Sequence, residues 1–251
     1  MLEKNTIYQG DCLDVMADIA DGSVDMILCD LPYGTTACKW DSVIPFEPLW
    51  AHYKRVIKRN GAIVLTASQP FTTALISSNM EWFKYCWVWV KDKKTGPLNA
   101  KKQPMGGHED ILVFCDGATT YNAQMKRRDY QRVAQYGKGG GTYGPSKGGT
   151  MDEERRWLSC PTSDITHIPC ERGFHPTQKP VALFEYLIRT YTNEGETVLD
   201  NCAGSGTAGI ACLNSSRDFI LIEQEAEYCE VARERMALWN IPVVDRKAAL
   251  V

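Results

Sequence analysis

A chain of 251 residues is long enough for one large α/β domain that carries an inserted segment. Hydrophobic residues make up 44% of the sequence and charged residues 24%, a balance that excludes a chain disordered throughout. The net charge of −3 excludes a uniformly basic nucleic-acid binder, so any surface for nucleic acid has to be local.

Cysteine usage and apolar segments indicate the compartment. The ten cysteines include no C-x-x-C pair and no regular spacing, which favours reduced thiols over a disulfide framework. The first residues lack a signal-peptide pattern, and the apolar cluster at residues 82–90 is too short to span a membrane. We therefore expect a cytoplasmic protein, from a prokaryotic or phage-infected cell, with no membrane partner.

Strand and helix patterns alternate through the first half of the chain, as is typical of a mostly parallel sheet. The predicted strands span residues 6–9, 24–29, 62–66, 83–90 and 110–114. Helical spacing falls at residues 12–19, 47–58 and 70–77. We expect the strands at 83–90 and 110–114 to pair with each other.

The pattern changes between residues 121 and 173, where apolar periodicity is poor and glycine and basic residues accumulate. Composition alone leaves two interpretations open: a mobile insert with a solvated surface, or a loop-rich element that binds a polyanion. Regular structure then resumes, with predicted strands at 197–200 and 219–222 and predicted helices at 181–191, 207–213 and 228–239.

A glycine-rich loop follows the strand that ends at Asp200. The segment Gly204–Gly209 matches G-x-G-x-x-G between a strand and a helix, and an acid, Glu223, ends the next strand. On this motif alone an NAD enzyme stays open. A carboxylate at position 200 would repel a pyrophosphate, however, and it suits a cationic group such as the amino-acid portion of S-adenosylmethionine.

A second strand, 24–29, ends in Asp30-Leu31-Pro32-Tyr33. The Asp30 carboxylate and the Leu31 carbonyl are two acceptors that can receive both N–H bonds of an exocyclic amine, and so direct its lone pair at an incoming methyl group. Pro32 stiffens the turn, and Tyr33 offers a ring on which an extruded base can stack.

These segments resemble the β group of DNA amino-methyltransferases. The resemblance rests on Asp30–Tyr33, the Asp200–Thr207 loop, and the preceding His175–Pro180 segment, in that chain order; Gly10-Asp11-Cys12-Leu13 resembles a further family motif. The family usually has Asp-Pro-Pro-Tyr, and Leu31 replaces its first proline. The resemblance implies a doubly wound, mostly parallel α/β sheet of the Rossmann-like, S-adenosylmethionine-dependent type, with a loop-rich inserted recognition region.

The function implied is methyl transfer from S-adenosylmethionine to N6 of a flipped adenine in double-stranded DNA, as in restriction-modification or prophage systems. Aspartate at position 30 favours adenine, because serine is typical of the cytosine-N4 members. The alternatives are cytosine-N4 methylation, a catalytically silent DNA-binding subunit, and an NAD dehydrogenase. A homodimer is left open, and a nucleoid-associated location follows from the DNA substrate.

The predicted parts are a catalytic half at residues 1–120, a target-recognition insert at 121–174 and a cofactor-binding half at 175–251. The predicted catalytic residues are Asp30, Leu31, Pro32 and Tyr33. The predicted cofactor-binding residues are Asp11, Cys12, Asp30, Thr177, Lys179, Asp200, Gly204, Gly206, Thr207 and Glu223. The predicted DNA-binding residues are Lys39, Trp40, Lys126, Arg127, Arg128 and Arg132. We predict no metal, because no further ligands surround the His108-Glu109 pair.

Overall fold

The computed structural model describes residues 2–36, 38, 41–127, 157–171, 173 and 178–246. The chain divides into two units. The larger comprises Met1–Asn122 with Ser163–Val251, and the smaller comprises Ala123–Thr162.

A single nine-stranded sheet, counted over the described residues, forms the centre of the larger unit. Its strands are β1 (Thr6–Gln9), β2 (Val24–Cys29), β3 (Ile57–Ala67), β4 (Phe83–Thr95), β5 (Gly106–Phe114), β8 (Asp164–Ile165), β9 (Thr197–Asp200), β10 (Asp218–Glu223) and β11 (Val243–Asp245). Their order in the sheet is β11-β1-β10-β9-β2-β3-β5-β4-β8, and only β5 runs antiparallel to its neighbours. The mostly parallel sheet confirms the predicted fold class.

Helices cover both faces of this sheet and separate the core into two layers. The helices are α1 (Cys12–Met16), α2 (Phe46–Val56), α3 (Phe71–Ser78), α4 (Val181–Tyr191), α5 (Thr207–Asn214) and α6 (Ala226–Arg235). Buried residues of α1, α2 and α3 pack on one face of the sheet, and those of α4, α5 and α6 pack on the other. Full burial of one leucine-sized side chain stabilises the fold by roughly 1.5–3 kcal/mol, so either layer alone is a substantial core.

Helix α4 shows how sequence produces this arrangement. Leu183 and Leu187 lie four residues apart, as do Phe184 and Ile188, so these four buried side chains share one face of the helix. Pro180 precedes the helix, and the Val181 N–H donates to the Glu171 carboxylate at 2.8 Å. An acid at a helix N-terminus satisfies an otherwise unpaired N–H and interacts favourably with the helix dipole.

Several boundaries differ from those predicted. Strand β3 begins at Ile57, so α2 ends at Val56 rather than at residue 58. The predicted pairing of β4 with β5 is confirmed, but both strands continue past the body of the sheet as a hairpin. The short strands β8 and β11 were not predicted, because two or three residues are too few to show a period.

The smaller unit is described at its two ends. Strand β6 (Lys126–Arg127) pairs antiparallel with β7 (Leu158–Ser159). The Arg127 guanidinium lies 5.8 Å from the centre of the Trp157 ring, within the range of a cation–π contact. Over the described residues, no helix has both the length and the apolar character needed to cross a membrane.

Candidate active site

Four acidic side chains lie at the carboxyl ends of four adjacent strands. Asp11 follows β1, Glu223 ends β10, Asp200 ends β9 and Asp30 follows β2. All four line one cleft of about 1120 Å³. Because β9 and β2 are direct neighbours, the glycine-rich loop and the Asp30 segment meet at one edge although 170 residues separate them. The two loops therefore lie side by side, as the sequence predicts.

The glycines of the loop have different tasks. Gly204 lines the cleft, and its N–H donates to the Glu223 carboxylate at 2.7 Å. Gly206 precedes α5 with a φ of 77°, and a Cβ there would lie 2.8 Å from Cβ of Ala232. A Cβ on Gly209 would lie 2.7 Å from Sδ of Met236. The second and third glycines therefore permit close packing against the C-terminal part of the chain, and Gly206 is not among the cleft-lining residues.

Asp200 is a buried carboxyl without a cationic partner among the described residues. Its Oδ1 accepts one hydrogen bond, from the Cys202 N–H at 3.1 Å. Burial raises the pKa of Asp200 to about 7. Burial also raises the pKa of Glu223, although the Glu225 and Gly204 amides oppose the shift. This part of the cleft has carboxylates that a cationic or hydrogen-donating ligand would stabilise.

The remaining predicted cofactor residues surround the same space. The Asp11 carboxylate caps α1 by accepting from the Leu13 N–H at 2.8 Å, and Cys12 and Thr207 line the cleft beside it. The capping oxygen is Oδ1, so Oδ2, which has no partner among the described residues, can accept a hydrogen bond from a ligand.

Asp30 is surrounded by three hydrogen-bond donors. Tyr33 Oη donates to Oδ1 at 2.8 Å, and the Thr66 hydroxyl donates to the same oxygen. The Lys179 ammonium donates to Oδ2 at 2.6 Å. Together these contacts fix the plane of the carboxylate at the tip of β2.

Lys179 joins Asp30 to a second carboxylate. Its Nζ lies 3.1 Å from Oε2 of Glu109, and Lys91 donates to Oε1 of Glu109 at 2.8 Å. Burial opposes the charge of Lys179, but the two carboxylates raise its pKa above the ordinary value. Burial likewise opposes the charge of Glu109, and the two lysines lower its pKa. The result is a chain of alternating charges, Asp30–Lys179–Glu109–Lys91, in which the lysines are buried and the carboxylates are partly buried.

The segment after Asp30 is packed and tied down. Leu31 is buried, and the Tyr33 ring stacks on Phe71 with 5.2 Å between ring centres. Asp41 accepts hydrogen bonds from the N–H groups of Gly34, Thr35 and Thr36. Burial opposes ionisation of Asp41, but these bonds lower its pKa below the ordinary value. Phe71 therefore occupies one face of the Tyr33 ring, and the Lys179 ammonium lies 5.6 Å from the ring centre.

Three residues of this site were missed in the sequence. Thr66 lies in a buried strand where it resembles any β-branched residue, and Lys91 lies in a lysine-rich run. Glu109 was weighed only as half of a metal pair. Over the described residues, no group of three or more His, Cys, Asp or Glu side chains could hold a metal ion. The sequence signal that could have indicated Glu109 is its position as an acidic residue immediately before the predicted strand 110–114.

Several predicted residues lie outside the described residues: Thr177, Lys39, Trp40, Arg128 and Arg132. The same holds for the His175-Pro176 part of the family-like segment. Lys126 and Arg127 are exposed in β6 of the smaller unit.

Comparison with known proteins identifies the family. The family model described as DNA methylase, for the N6 and N4 type, matches residues 24–234. The chain belongs to this family. The DNA adenine methyltransferase YhdJ of Escherichia coli strain K12 is 30% identical over 257 residues, which cover 93% of this chain and 83% of YhdJ. The family predicted from the sequence is therefore confirmed.

Solved structures agree on the fold. The structure of M1.HpyAVI in complex with S-adenosylmethionine is 25% identical, with a TM-score of 0.62, and the match covers 92% of this chain and 98% of that one. The cytosine-N4-specific PvuII DNA methyltransferase is 14% identical with a TM-score of 0.66, covering 97% and 96%. At that identity the second likeness concerns the fold alone, and the family as a whole includes both N6 and N4 chemistry.

Proposed function

We propose that this DNA methylase transfers the methyl group of S-adenosylmethionine to N6 of an adenine extruded from double-stranded DNA. The observation that carries the proposal is the placement of Asp30, with its ring of donors, in the same cleft as the unpaired carboxyl of Asp200. The predicted cofactor agrees with the family and with the M1.HpyAVI complex. An NAD enzyme is therefore set aside.

The residues at the tips of β9 and β10 fit S-adenosylmethionine. Asp200 is buried with a raised pKa, so an ammonium group such as that of the methionine portion would stabilise its ionised form. Both oxygens of Glu223 already accept a backbone N–H, from Gly204 and Glu225, and each can still accept a ribose hydroxyl. When bound, the cofactor supplies an electrophilic methyl group. The cleft volume of about 1120 Å³ leaves room for a base beside it.

The residues around β2 prepare the target amine. The Asp30 carboxylate and the Leu31 carbonyl accept the two N–H bonds of the amine, which favours a pyramidal nitrogen with a free lone pair. Lys179, Tyr33 and Thr66 fix the acceptor before the base arrives. Preorganisation of this kind removes reorganisation from the reaction step. Asp30 is also placed to accept the proton that the methylated nitrogen releases.

Nucleoside analysis tests the proposal. The protein is incubated with S-adenosylmethionine and DNA from a host that lacks methylation, and the DNA is then digested and analysed by mass spectrometry. We expect N6-methyladenine, and none with the Asp30→Ala variant. N4-methylcytosine as the only product would overturn the choice of base. DNA binding without any methylated base would instead support a catalytically silent subunit.

A further inference from the structure

The β4–β5 hairpin carries a strong local positive charge within the larger unit. Five lysines and one aspartate lie between residues 91 and 102, in a chain whose net charge is −3. Residues 92–106 are all exposed. We define residues 92–106 as the hairpin tip. A chain that is acidic as a whole needs such a local patch to approach a polyanion.

The hairpin tip is an ordered structure rather than a loose loop. A 3-10 turn, Pro97–Asn99, follows Gly96, whose φ of 77° reverses the chain. The N–H groups of Lys102 and Gln103 donate to the Asn99 carbonyl at 2.8 and 3.0 Å. At its base, the Asp92 carboxylate accepts from the Cys170 N–H at 2.7 Å. The tip can therefore present side chains in fixed positions.

The ammonium groups of three lysines in the tip, Lys93, Lys101 and Lys102, make no hydrogen bond or ion pair with any described residue. Lys91 and Lys94, by contrast, are engaged at the base of the hairpin. Ammonium groups that the protein leaves unpaired are available for phosphates.

The end of the hairpin is apolar. Leu98 is 98% exposed and lies in the middle of the 3-10 turn Pro97–Asn99, with lysines on either side of it in the sequence. Apolar side chains such as leucine enter between bases when a protein unstacks a duplex. An exposed leucine between phosphate-binding groups has the chemistry of such a wedge.

The hairpin also lies beside the cleft that contains Asp30. Lys91, Lys93, Thr95, Gly96 and Glu109 line the same cleft as Asp30. The hairpin and the cleft both lie at the carboxyl edge of the sheet, so a duplex that delivers a base into the cleft comes close to the hairpin. We propose that the hairpin tip is a DNA-binding finger, in which Lys93, Lys101 and Lys102 contact phosphates and Leu98 occupies the space that the extruded base leaves.

This inference rests on the proposed function, but its first test needs no turnover. The triple variant K93A/K101A/K102A is compared with the wild type by fluorescence anisotropy on a labelled 30-base-pair duplex over a range of salt concentrations. Each lost phosphate contact removes about 0.9 from the slope of log affinity against log salt, so we expect a slope shallower by about 2.7. The matched control K54A/R59A/K84A removes three charges near the other end of β3 and β4 and should leave the slope unchanged.

Leu98 is tested by rate. We expect Leu98→Ala to lower the initial rate of duplex methylation by about tenfold, since unstacking is then less well compensated, with the salt slope unchanged. Leu238→Ala is the control, because Leu238 is 90% exposed and lies outside the cleft. Slopes that agree within error, or a Leu98→Ala rate within twofold of wild type, would overturn the finger. A wild type that binds DNA but methylates none would overturn the proposed function instead, while the slope still tests the lysines.

Discussion

The two sides of the cleft treat their carboxylates in opposite ways. On the side of β9 and β10, Asp200 and Glu223 accept backbone N–H bonds, and Asp200 also hydrogen-bonds with the Cys29 side chain. Neither carboxyl has a cationic partner among the described residues, and burial raises both pKa values. On the side of β2 and β5, Asp30 and Glu109 share the ammonium of Lys179. The carboxylates on the β9 and β10 side can therefore pair with a cationic group of a ligand, whereas those on the β2 and β5 side are already paired with Lys179. This difference supports the proposal that one side binds a cationic cofactor and the other holds a fixed acceptor for a neutral amine.

The largest effect is expected from Asp30→Ala, which removes the acceptor on the β2 and β5 side. Loss of one preorganised partner costs roughly 10²–10³ in rate, and we expect at least this loss in methyl transfer to DNA. Binding of S-adenosylmethionine, measured by calorimetry, should stay within a few fold of wild type. Methyl transfer that survives the change would mean that Asp30 is not the acceptor.

Removal of the shared cation should damage stability as well as rate. In Lys179→Met the partly buried carboxylates of Asp30 and Glu109 lose their common partner. Breaking a fully buried ion pair from one side costs about 3–5 kcal/mol, and the partial exposure of both carboxylates favours the lower end of this range. We expect a free energy of unfolding lower by about this amount, measured by urea denaturation.

A double variant separates charge from packing. In Asp30→Asn/Lys179→Met the carboxylate whose cation was removed is neutralised, while Glu109 keeps Lys91, so stability should recover in part. Methyl transfer should stay low, because the charged acceptor is gone. Equal stability of the single and double variants would show that Lys179 contributes through packing alone.

The pH dependence of cofactor binding probes the β9 and β10 side. The pKa of Asp200 in the folded protein is about 7, above the ordinary value of 3.8, so its protonated form is favoured by folding. Stability from this group is fully present below pH 3.8 and is lost as the pH rises through 7. Binding of a cation needs the ionised form, so the affinity for S-adenosylmethionine should fall by up to about tenfold per pH unit below 7.

Asp200→Asn is the control for that titration. Its affinity should be low and nearly independent of pH between 5.5 and 7.5, and the ligand-free protein should no longer lose stability over this range. If wild type and variant show the same pH profile, another group titrates and the cation site is elsewhere.

The positions of Asp30, Asp200 and Glu223 at neighbouring strand ends could be predicted, because each follows a short apolar run and parallel strands expose their carboxyl ends at one edge. The partner of Lys179 could not be predicted. Lys179 and Asp30 lie 149 residues apart, and no local pattern reports a contact at that separation. The motif around Lys179 led instead to a role at the cofactor.

The length of the β4–β5 hairpin was also hidden in the sequence. Its strands lose apolar alternation after Val90, since residues 92–106 are exposed on both faces. Strand pairing there depends on backbone hydrogen bonds and on the turn at Gly96, neither of which leaves a hydrophobic period. Hydrophobic patterns in a sequence indicate which residues are buried, so they cannot predict a strand whose residues are exposed on both faces.

The smallest expected effects distinguish two glycines of the cofactor loop. In Gly206→Ala the new Cβ would lie 2.8 Å from Cβ of Ala232 at a φ of 77°, so left-handed strain and overpacking should together cost about 2 kcal/mol. In Gly209→Ala the new Cβ would lie 2.7 Å from Sδ of Met236 and 2.9 Å from Cδ1 of Leu221, near the ends of two side chains. This overpacking opposes the gain of about 1 kcal/mol in helix propensity, so stability should change by less than about 1 kcal/mol. Urea midpoints with and without S-adenosylmethionine measure both. Since neither glycine lines the cleft, the ligand should stabilise both variants as much as it does the wild type. A variant that folds but no longer responds to the ligand would place that glycine in the binding site, and the β9 and β10 side of the cleft would then extend deeper into α5.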